Sequence, residues 1–323
     1  SFGDYNRVNT NVTAMDAQLS LNKINRDLGD SRLRLSTGFK INNAEDDAAG
    51  FAIATKLKSR VAGLEQALQN VGDAKSMLDI VEGAYGSIMD NLIQMKGLST
   101  QASNDTLSAT ERTYIAKQIQ ALGNDINGIA DSATFNGVAL LPTSDATKTF
   151  QVGEGTGDTM SVTFEQVDIL ALFGATGTDL GTADNIEVTV DGEHEGNSAG
   201  YVGDGVADTR GEIEFETSGN AEPGTAAAVA ADFNTFMTKV DTAIGTLNGF
   251  MNQVGIDQRS LSNKEVNLTE AITANSAARS RIMDTDFAKE QSNSIRLQIL
   301  QQTATAALSQ ANMGPQAVLG FLG

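Results

Sequence analysis

Apolar residues recur at every seventh position between residues 57 and 98, and a second apolar row lies three or four positions away. Spacing of this kind puts both rows on one side of a helix. The pattern predicts one helix roughly 60 Å long, at about 1.5 Å per residue. Its two rows are Leu57, Leu64, Val71, Leu78, Tyr85, Leu92 and Val61, Leu68, Ala74, Val81, Ile88, Met95.

A helix of that length needs a partner of similar length, and residues 233–282 supply one. A seven-residue row there comprises Phe233, Val240, Leu247, Val254, Leu261, Leu268 and Ile282, with the polar Asn275 in the remaining place. The simplest architecture folds the chain back on itself, so that its two ends form one long antiparallel coiled coil or helical bundle. Looser helical patterns in 1–42 and in the last 40 residues extend this arrangement.

Two interruptions separate the helices of the N-terminal half. Residues 38–43 form a non-helical link, and Asn43 is a candidate N-cap with Glu45, Asp46 and Asp47 in the first turn of the next helix. Farther on, Ser108 and Glu111 have the spacing of a capping box and open a shorter helix. Residues 135–137 then form a turn.

The middle of the chain has the composition of strands and turns. Alternating segments at 149–152, 160–164, 186–190 and 212–215 predict short strands, and 153–158 joins the first two as a hairpin. The protein is therefore expected to be mainly α-helical, with a β-hairpin and a small β-rich outer insertion.

Composition and charge limit the functions that the chain can have. The chain has no cysteine, its first residues lack the features of a secretory signal, and no apolar run is long enough to span a membrane. Its net charge is −19, and residues 143–224 hold 17 acidic and 2 basic residues, so the rest of the chain carries only −4. An acidic chain is a poor partner for nucleic acid, whereas its nearly neutral ends suit packing against copies of itself.

No group of residues has the spacing of a catalytic or cofactor site. His194, the one histidine, lies in an acidic turn at 191–196 that weakly resembles the start of a calcium loop, but Val202 stands where the loop needs a glutamate. The glycine-rich turn at 153–158 lacks the lysine of a phosphate loop. We therefore expect no enzymatic activity, no cofactor and no metal.

Several motifs at the two ends resemble those of bacterial flagellins. In the N-terminal part these are VNTN at 8–11, RLSTGFKINNAEDDAAG at 34–50, TFNG at 134–137 and FQVG at 150–153. In the C-terminal part they are ARSRI at 278–282, DTDFAKE at 284–290 and QILQQ at 298–302. The resemblance covers about 1–169 and 225–323.

The resemblance implies a structural subunit that polymerises into the extracellular flagellar filament for swimming. Residues 1–42 with 283–323 are then the inner-tube coiled coil, 43–169 with 224–282 a helical rod domain with the β-hairpin, and 170–223 a small acidic outer domain or loop. It also implies export without a cleaved signal peptide. The implied partners are further copies of the chain, the flagellar export apparatus and a chaperone, and the cap and hook-junction proteins.

The same resemblance assigns roles to particular residues. The residues that it assigns to packing in the inner tube are Leu21, Ile24, Leu28, Leu35, Ile295, Ile299, Ala307 and Leu308. The residues that it assigns to the link between the inner tube and the next layer are Gly38, Asn42, Asn43, Ile282 and Phe287.

A toll-like receptor senses some flagellins through a patch whose matching positions here are Gln94, Leu98 and Gln118. Members that activate the receptor have arginine at the first position and glutamate at the third. Only the leucine is kept, so the two charged hydrogen-bonding groups are missing and recognition is expected to be weak.

Two other interpretations remain open at this stage. A hook–filament junction protein shares the terminal coiled coils and some of the motifs. A secreted coiled-coil adhesin, with the acidic middle as its binding face, is an alternative from a different class.

Overall fold

The computed structural model describes residues 10–142, 146–174, 186–189, 212–215 and 230–320. The loop around His194, the sequence resembling a calcium loop and most of 170–223 lie outside these ranges. Within them the fold is mainly α-helical with small antiparallel β-hairpins, as the sequence predicts. The helices are α1 Val12–Thr37, α2 Ala48–Ala102, α3 Ala109–Ser132, α4 Ile169–Phe173, α5 Ala230–Met283 and α6 Phe287–Gly320.

The described strands pair as three two-stranded antiparallel sheets. They are β1 Thr134–Phe135, β2 Val138–Ala139, β3 Ala146–Gln151, β4 Thr159–Phe164, β5 Ile186–Thr189 and β6 Glu212–Phe215. The chain also divides into two compact units, one of residues 1–63 with 270–323 and the other of residues 64–269.

In the first unit, α1 and α6 pack side by side in opposite directions. Near one end of the pair, the side-chain amide of Asn11 donates a hydrogen bond to the carbonyl of Ala311, with an N···O distance of 2.8 Å. Farther along, the amide of Gln301 donates to the side-chain oxygen of Asn25 at 2.7 Å. The residue numbers fall on one helix as they rise on the other, which fixes the antiparallel register.

The segment that follows α1 pairs with the segment that precedes α6 through backbone hydrogen bonds. The backbone N–H of Thr285 donates to the carbonyl of Gly38 at 2.8 Å, and Phe39 forms an antiparallel bridge with Asp284. The N–H of Lys40 donates to the carbonyl of Met283. The predicted link, residues 38–43, is therefore non-helical, and its backbone is hydrogen-bonded to residues 283–285 at the end of α5.

The cap of α2 differs from the expectation. Asn43 does not cap a helix, because residues 43–46 form a turn and α2 begins only at Ala48. The carboxylate of Asp47 accepts hydrogen bonds from the N–H groups of Ala49 and Gly50 at 3.1 and 3.0 Å, so Asp47 is the capping residue. The prediction placed the helix start four residues too early.

In the second unit, parts of α2 and α5 run antiparallel and bury their apolar rows against each other. Polar pairs flank the seam: Lys75 Nζ lies 2.8 Å from Glu265 Oε2, and Lys96 Nζ lies 2.5 Å from Asp241 Oδ1. The apolar rows are as predicted, and within this unit the fully or nearly fully buried members include Leu78, Val81, Tyr85, Ile88, Leu92, Met95, Phe233, Val240, Leu247 and Leu261.

The shorter helix α3 begins with the predicted capping box. The N–H of Glu111 donates to the hydroxyl of Ser108, and the Glu111 carboxylate accepts from the N–H and the hydroxyl of Ser108. The two hydrogen bonds that the carboxylate accepts, first the one from the Ser108 N–H, lower the pKa of the Glu111 carboxyl. After α3, Asn136 and Gly137 take φ of 49° and 76°, the two positive values that a tight two-residue hairpin turn needs.

The longer hairpin, β3–β4, lies against α2. Its register pairs Ala146 with Phe164 and Gln151 with Thr159, which confirms the predicted hairpin with its turn at 153–158. The side chain of Asn70 donates to the carbonyl of Gln151 at 3.0 Å.

Candidate assembly surfaces and link

The helices α1 and α6 each present one apolar face to the other. On α1 the residues of this face are spaced by three or four and include Leu21, Ile24, Leu28, Ser31 and Leu35. On α6 the corresponding residues include Ser294, Leu297, Gln301, Ala304 and Leu308. Leu28 and Leu297 are the most deeply buried apolar side chains of the pair, at 3% and 7% exposed.

A second set of apolar side chains on the same two helices points away from this seam. These residues are exposed in the single chain: Met15, Leu19 and Leu33 on α1, and Ile295, Ile299, Leu300 and Met313 on α6. Leu19 is 66% exposed and Ile299 is 56% exposed. Large apolar side chains that remain in water along one helix pair are typical of surfaces that bind another protein.

The eight residues that the resemblance assigned to inner-tube assembly therefore fall into two groups. Leu28 is buried, and Leu21, Ile24, Leu35 and Leu308 are half-buried, all on the face between α1 and α6. Ile295, Ile299 and Ala307 are exposed. Sequence periodicity did not separate the groups, since α6 is apolar on more than one side. Met15, Leu19, Leu33, Leu300 and Met313 are exposed apolar residues that the assignment missed.

A groove runs between the first turns of α1 and the later part of α6. It has a volume of about 650 Å³, and its walls include Met15, Leu19, Asn22, Leu308 and Asn312. Among the residues that the structure describes, no charged side chain lines it. The exposed side chains of Met15 and Leu19 are thus part of the wall of this groove.

The link is held together by the carboxylate of Asp46. Its Oδ2 atom accepts hydrogen bonds from the backbone N–H groups of Asn42 and Asn43, at 2.9 and 3.0 Å. Its Oδ1 atom lies 3.7 Å from the guanidinium of Arg34, in the last turn of α1. The N–H groups of Asn43 and Asn42 hold the pKa of the Asp46 carboxyl below its usual value, and Arg34 adds to this effect.

The five predicted link residues take different positions. Gly38 ends α1 with φ of 77°, a left-handed conformation that favours glycine, and Asn42 and Asn43 lie in the non-helical segment after it. Ile282 lies in the last turn of α5, and Phe287 is the first residue of α6. A Cβ atom on Gly38 would lie 3.6 Å from the Phe287 ring, so Gly38 and Phe287 are close together.

The three predicted receptor-patch residues line a single groove between α2 and α3. Gln94 and Leu98 come from α2 and Gln118 comes from α3, and Gly97, Ala121 and Leu122 complete the walls. The groove measures about 540 Å³, and none of these side chains is charged.

One acidic side chain in the second unit is buried without a cationic partner among the described residues. Asp257 of α5 is 9% exposed and accepts a hydrogen bond from the amide of its neighbour Gln253 at 3.2 Å. Burial raises the pKa of the Asp257 carboxyl, and the hydrogen bond from Gln253 opposes this shift only in part.

Two kinds of feature are absent from the described ranges. No three His, Cys, Asp or Glu side chains there lie close enough to share a metal ion. No helix in these ranges is both long and apolar enough to cross a membrane.

Comparison with known proteins identifies both ends of the chain. Residues 8–146 match the family model for the bacterial flagellin N-terminal helical region, and residues 237–322 match the model for the bacterial flagellin C-terminal helical region. The chain is 31% identical to flagellin C of Vibrio anguillarum and 32% identical to a flagellin of Serratia marcescens. Each alignment covers 98% of this chain and 99% of the relative.

Among solved structures, the chain is similar to one described as a flagellar hook-associated protein from Vibrio parahaemolyticus. The TM-score is 0.50 and the identity 11%, with 74% of this chain and all of the other covered, so the likeness concerns the fold alone. The curated relatives over nearly the full length are flagellins, and they do not favour the hook-junction alternative. The chain belongs to the bacterial flagellin family and is a structural subunit of the flagellar filament.

Proposed function

We propose that this subunit joins the filament chiefly through α1 and α6, whose outward apolar side chains are covered by neighbouring copies. The observation that carries the proposal is the exposure of Leu19 and Ile299 on a helix pair whose other face is already packed. Association of identical subunits through unlike surfaces does not close on itself and builds a helical filament.

The two groups of inner-tube residues then have different tasks. Leu21, Ile24, Leu28, Leu35 and Leu308 hold α1 against α6 within one copy, and Ile295, Ile299 and Ala307 contact other copies. Burial of an apolar side chain is worth about 1.5–3 kcal/mol, so a few such contacts for each copy contribute substantially to assembly.

The division of the chain into layers is part of the same proposal. Residues 1–42 with 283–323 form the inner tube, 43–169 with 224–282 the surrounding helical rod, and 170–223 an acidic outer segment. The distribution of charge supports this order, because the acidic middle carries most of the net charge and the ends are nearly neutral. The link around Gly38, Asn42, Asn43, Ile282 and Phe287 connects the inner tube to the rod.

For the cellular setting we propose export as an unfolded chain without a cleaved signal peptide. The partners are the export apparatus and a chaperone during transport, and the cap and hook-junction proteins at the filament ends. Membership of the flagellin family supports this proposal.

We also propose that toll-like receptor recognition is weak. None of the described residues that line the groove with Gln94, Leu98 and Gln118 has a charged side chain to pair with a receptor. Leu98 keeps an apolar contact, but the charge-assisted hydrogen bonds that strengthen such contacts are absent.

Electron microscopy of the purified chain after concentration or salting-out tests the proposal. The intact chain is expected to form long helical filaments. A chain that lacks residues 1–35 is expected to remain a soluble folded monomer, because it loses most of α1 and with it the α1 side of the proposed contact surface. Filaments from the shortened chain would contradict the role given to α1 and α6. Discrete particles from the intact chain under every condition would contradict the filament function.

A further inference from the structure

Asparagine followed directly by glycine occurs three times in the chain, and one of the three pairs lies in a tight turn. The pair at 127–128 is part of α3 and the pair at 248–249 is part of α5. Asn136 and Gly137 form the two-residue loop between β1 and β2, and both are exposed. The reactive groups are the same in all three pairs, so the backbone around each pair decides how it can react.

An asparagine side chain can react with the backbone that follows it. The backbone nitrogen of the next residue forms a bond to Cγ, the bond from Cγ to the side-chain nitrogen breaks, and that nitrogen leaves as ammonia with the proton of the backbone N–H. Water then opens the five-membered imide and leaves aspartate or isoaspartate. Glycine in the second position has no Cβ atom to hinder the attack.

The turn leaves both reacting groups without hydrogen bonds. Among the residues that the structure describes, none accepts a hydrogen bond from the N–H of Gly137 and none bonds to the side-chain amide of Asn136. The attack needs the peptide plane between these residues to rotate until the Gly137 nitrogen faces Cγ of Asn136. Glycine tolerates a wide range of φ, so Gly137 follows this rotation without strain.

Little structure has to open for that rotation. The strands β1 and β2 pair over only two residue pairs, and three of their four residues are exposed. A hairpin of two strands is marginally stable by itself. At its base, the N–H of Leu140 donates to the carbonyl of Ala133 at 2.9 Å, and both side chains are buried. The tip can therefore open while the base stays packed.

The two helical pairs are held more firmly. Each N–H in a helix interior donates to the carbonyl four residues earlier, which engages the attacking nitrogen and fixes its peptide plane. Asn127 is 3% exposed, and its Oδ1 atom accepts a hydrogen bond from the N–H of Ile169 at 3.2 Å. Asn248 is exposed like Asn136 but lies inside α5, so it is a matched internal control.

We propose that Asn136 is a site of spontaneous deamidation in the folded chain, with water as the co-reactant. Isoaspartate carries the main chain through one additional carbon atom, which does not fit the two-residue turn that joins β1 to β2. The product is therefore expected to leave the tip of this hairpin unpaired while α3 stays folded. This modification is independent of the role of the chain in the filament.

The test follows the full-length chain, kept dilute and monomeric at mildly alkaline pH. Peptide mapping by mass spectrometry measures the rate at each of the three pairs, and an isoaspartate-specific methyltransferase labels the product. Asn136 is expected to react at least about tenfold faster than Asn248, because local opening is much easier at an exposed tip than in a helix interior. In denaturant the three pairs are expected to react at similar rates.

Two variants check the assignment by the release of ammonia. Asn136→Gly keeps a residue that tolerates positive φ and removes the amide, so most of the early ammonia release is expected to disappear. Asn248→Ala, at an exposed position of α5, is the control and is expected to leave the release unchanged. Circular dichroism of the natural chain is expected to show the same helix content before and after the reaction.

Three results would overturn the inference. The first is equal rates at Asn136 and Asn248 in the folded chain. The second is a preference for Asn136 that persists unchanged in denaturant, since the local sequence and not the turn would then be its cause. The third is a loss of helix content in step with deamidation, which would place the reaction in an unfolded chain. Each of these results leaves the proposed filament function intact, because that function is tested by electron microscopy.

Discussion

The Cδ1 atom of Ile41 approaches the backbone of Gly50 so closely that a Cβ atom on Gly50 would lie 2.8 Å from it. The same Cβ atom would lie 2.5 Å from Oδ2 of Asp47, the residue that caps α2. Ile41 is only 2% exposed and has little room to move. Gly50 is thus the point where the link packs onto the first turn of α2.

Gly50→Ala is therefore expected to destabilise the protein, although alanine favours helices. Displacement of Ile41 and of the capping carboxylate is expected to cost about 1–3 kcal/mol. Chemical unfolding followed by circular dichroism measures the change. Gly72→Ala is the matched control, because it also lies in α2 but has no neighbour within 4 Å of the new Cβ. That control is expected to stabilise the protein by up to about 1 kcal/mol, and equal effects of both variants would contradict the packing role of Gly50.

The two groups of inner-tube residues predict opposite behaviour for Leu28→Ala and Ile299→Ala. Leu28 is buried between α1 and α6, so its truncation is expected to cost about 2–5 kcal/mol in the monomer and to lower helix content. Ile299 is exposed, so Ile299→Ala is expected to leave the monomer unchanged and to raise the critical concentration for assembly. Circular dichroism and sedimentation separate the two effects. Normal assembly of Ile299→Ala would remove this residue from the contact surface.

Asp46→Ala is expected to loosen the link. The carboxylate accepts two backbone N–H groups in the manner of a helix cap, so the expected loss is about 1 kcal/mol. Hydrogen exchange at the amides of Asn42 and Asn43 measures it locally, and exchange there is expected to become faster. Glu45→Ala, an exposed acid one position earlier, is the control.

The acid dependence of the link follows from the lowered pKa of Asp46. A carboxyl whose pKa is lower in the folded state stabilises that state fully above its unfolded pKa, which is about 3.9. The contribution is lost as the pH falls through the lower, folded pKa. Protection of the Asn42 and Asn43 amides is expected to decrease in that acidic range, and a constant protection would contradict the assignment.

Asp257→Asn is expected to stabilise the second unit at neutral pH. Because the pKa of the buried carboxyl is raised, the folded state binds the proton more tightly, and stability falls as the pH rises from the unfolded pKa of about 3.9 through the folded value. Asparagine removes that penalty and keeps an acceptor for Gln253. The melting temperature at pH 7 is expected to be higher by a few degrees, and the difference is expected to vanish below about pH 4. Glu65→Gln, at an exposed position of the same unit, is the control.

Restoring charge at the receptor-patch positions is expected to increase the toll-like receptor response. The double variant Gln94→Arg with Gln118→Glu supplies the two missing charged groups beside Leu98. A cellular reporter assay on pure protein measures the response of the natural chain and of the variant. A strong response to the natural chain would contradict the prediction of weak recognition.

The sequence was sufficient to predict the long helices, because their apolar rows repeat over many turns and only a helix satisfies that spacing. The capping box at Ser108 and Glu111 and the turn at Asn136 and Gly137 were also predictable, since local backbone chemistry determines them. These features depend on neighbours within a few residues or on a regular period.

The start of α2 was harder to predict, because Asn43, Asp46 and Asp47 are all competent caps and the choice depends on contacts outside the local sequence. The carboxylate of Asp46 is used by the link, which leaves Asp47 to cap the helix. The division between Leu28 and Ile299 has a similar cause. Both residues are apolar at helical spacing, and only the position of the partner helix decides which of them is buried.

The hydrogen bond between Asn11 and the carbonyl of Ala311 joins residues 300 positions apart. A ribosome adds about 5–20 residues per second. The paired part of α6 is therefore synthesised on the order of 15–60 s after α1. During that time its apolar face has no partner within the chain, and helices in proteins gain most of their stability from the packing of that face. The first helix to be synthesised is thus among the last to be packed, and the newly made chain stays open at its leading end until translation is nearly finished.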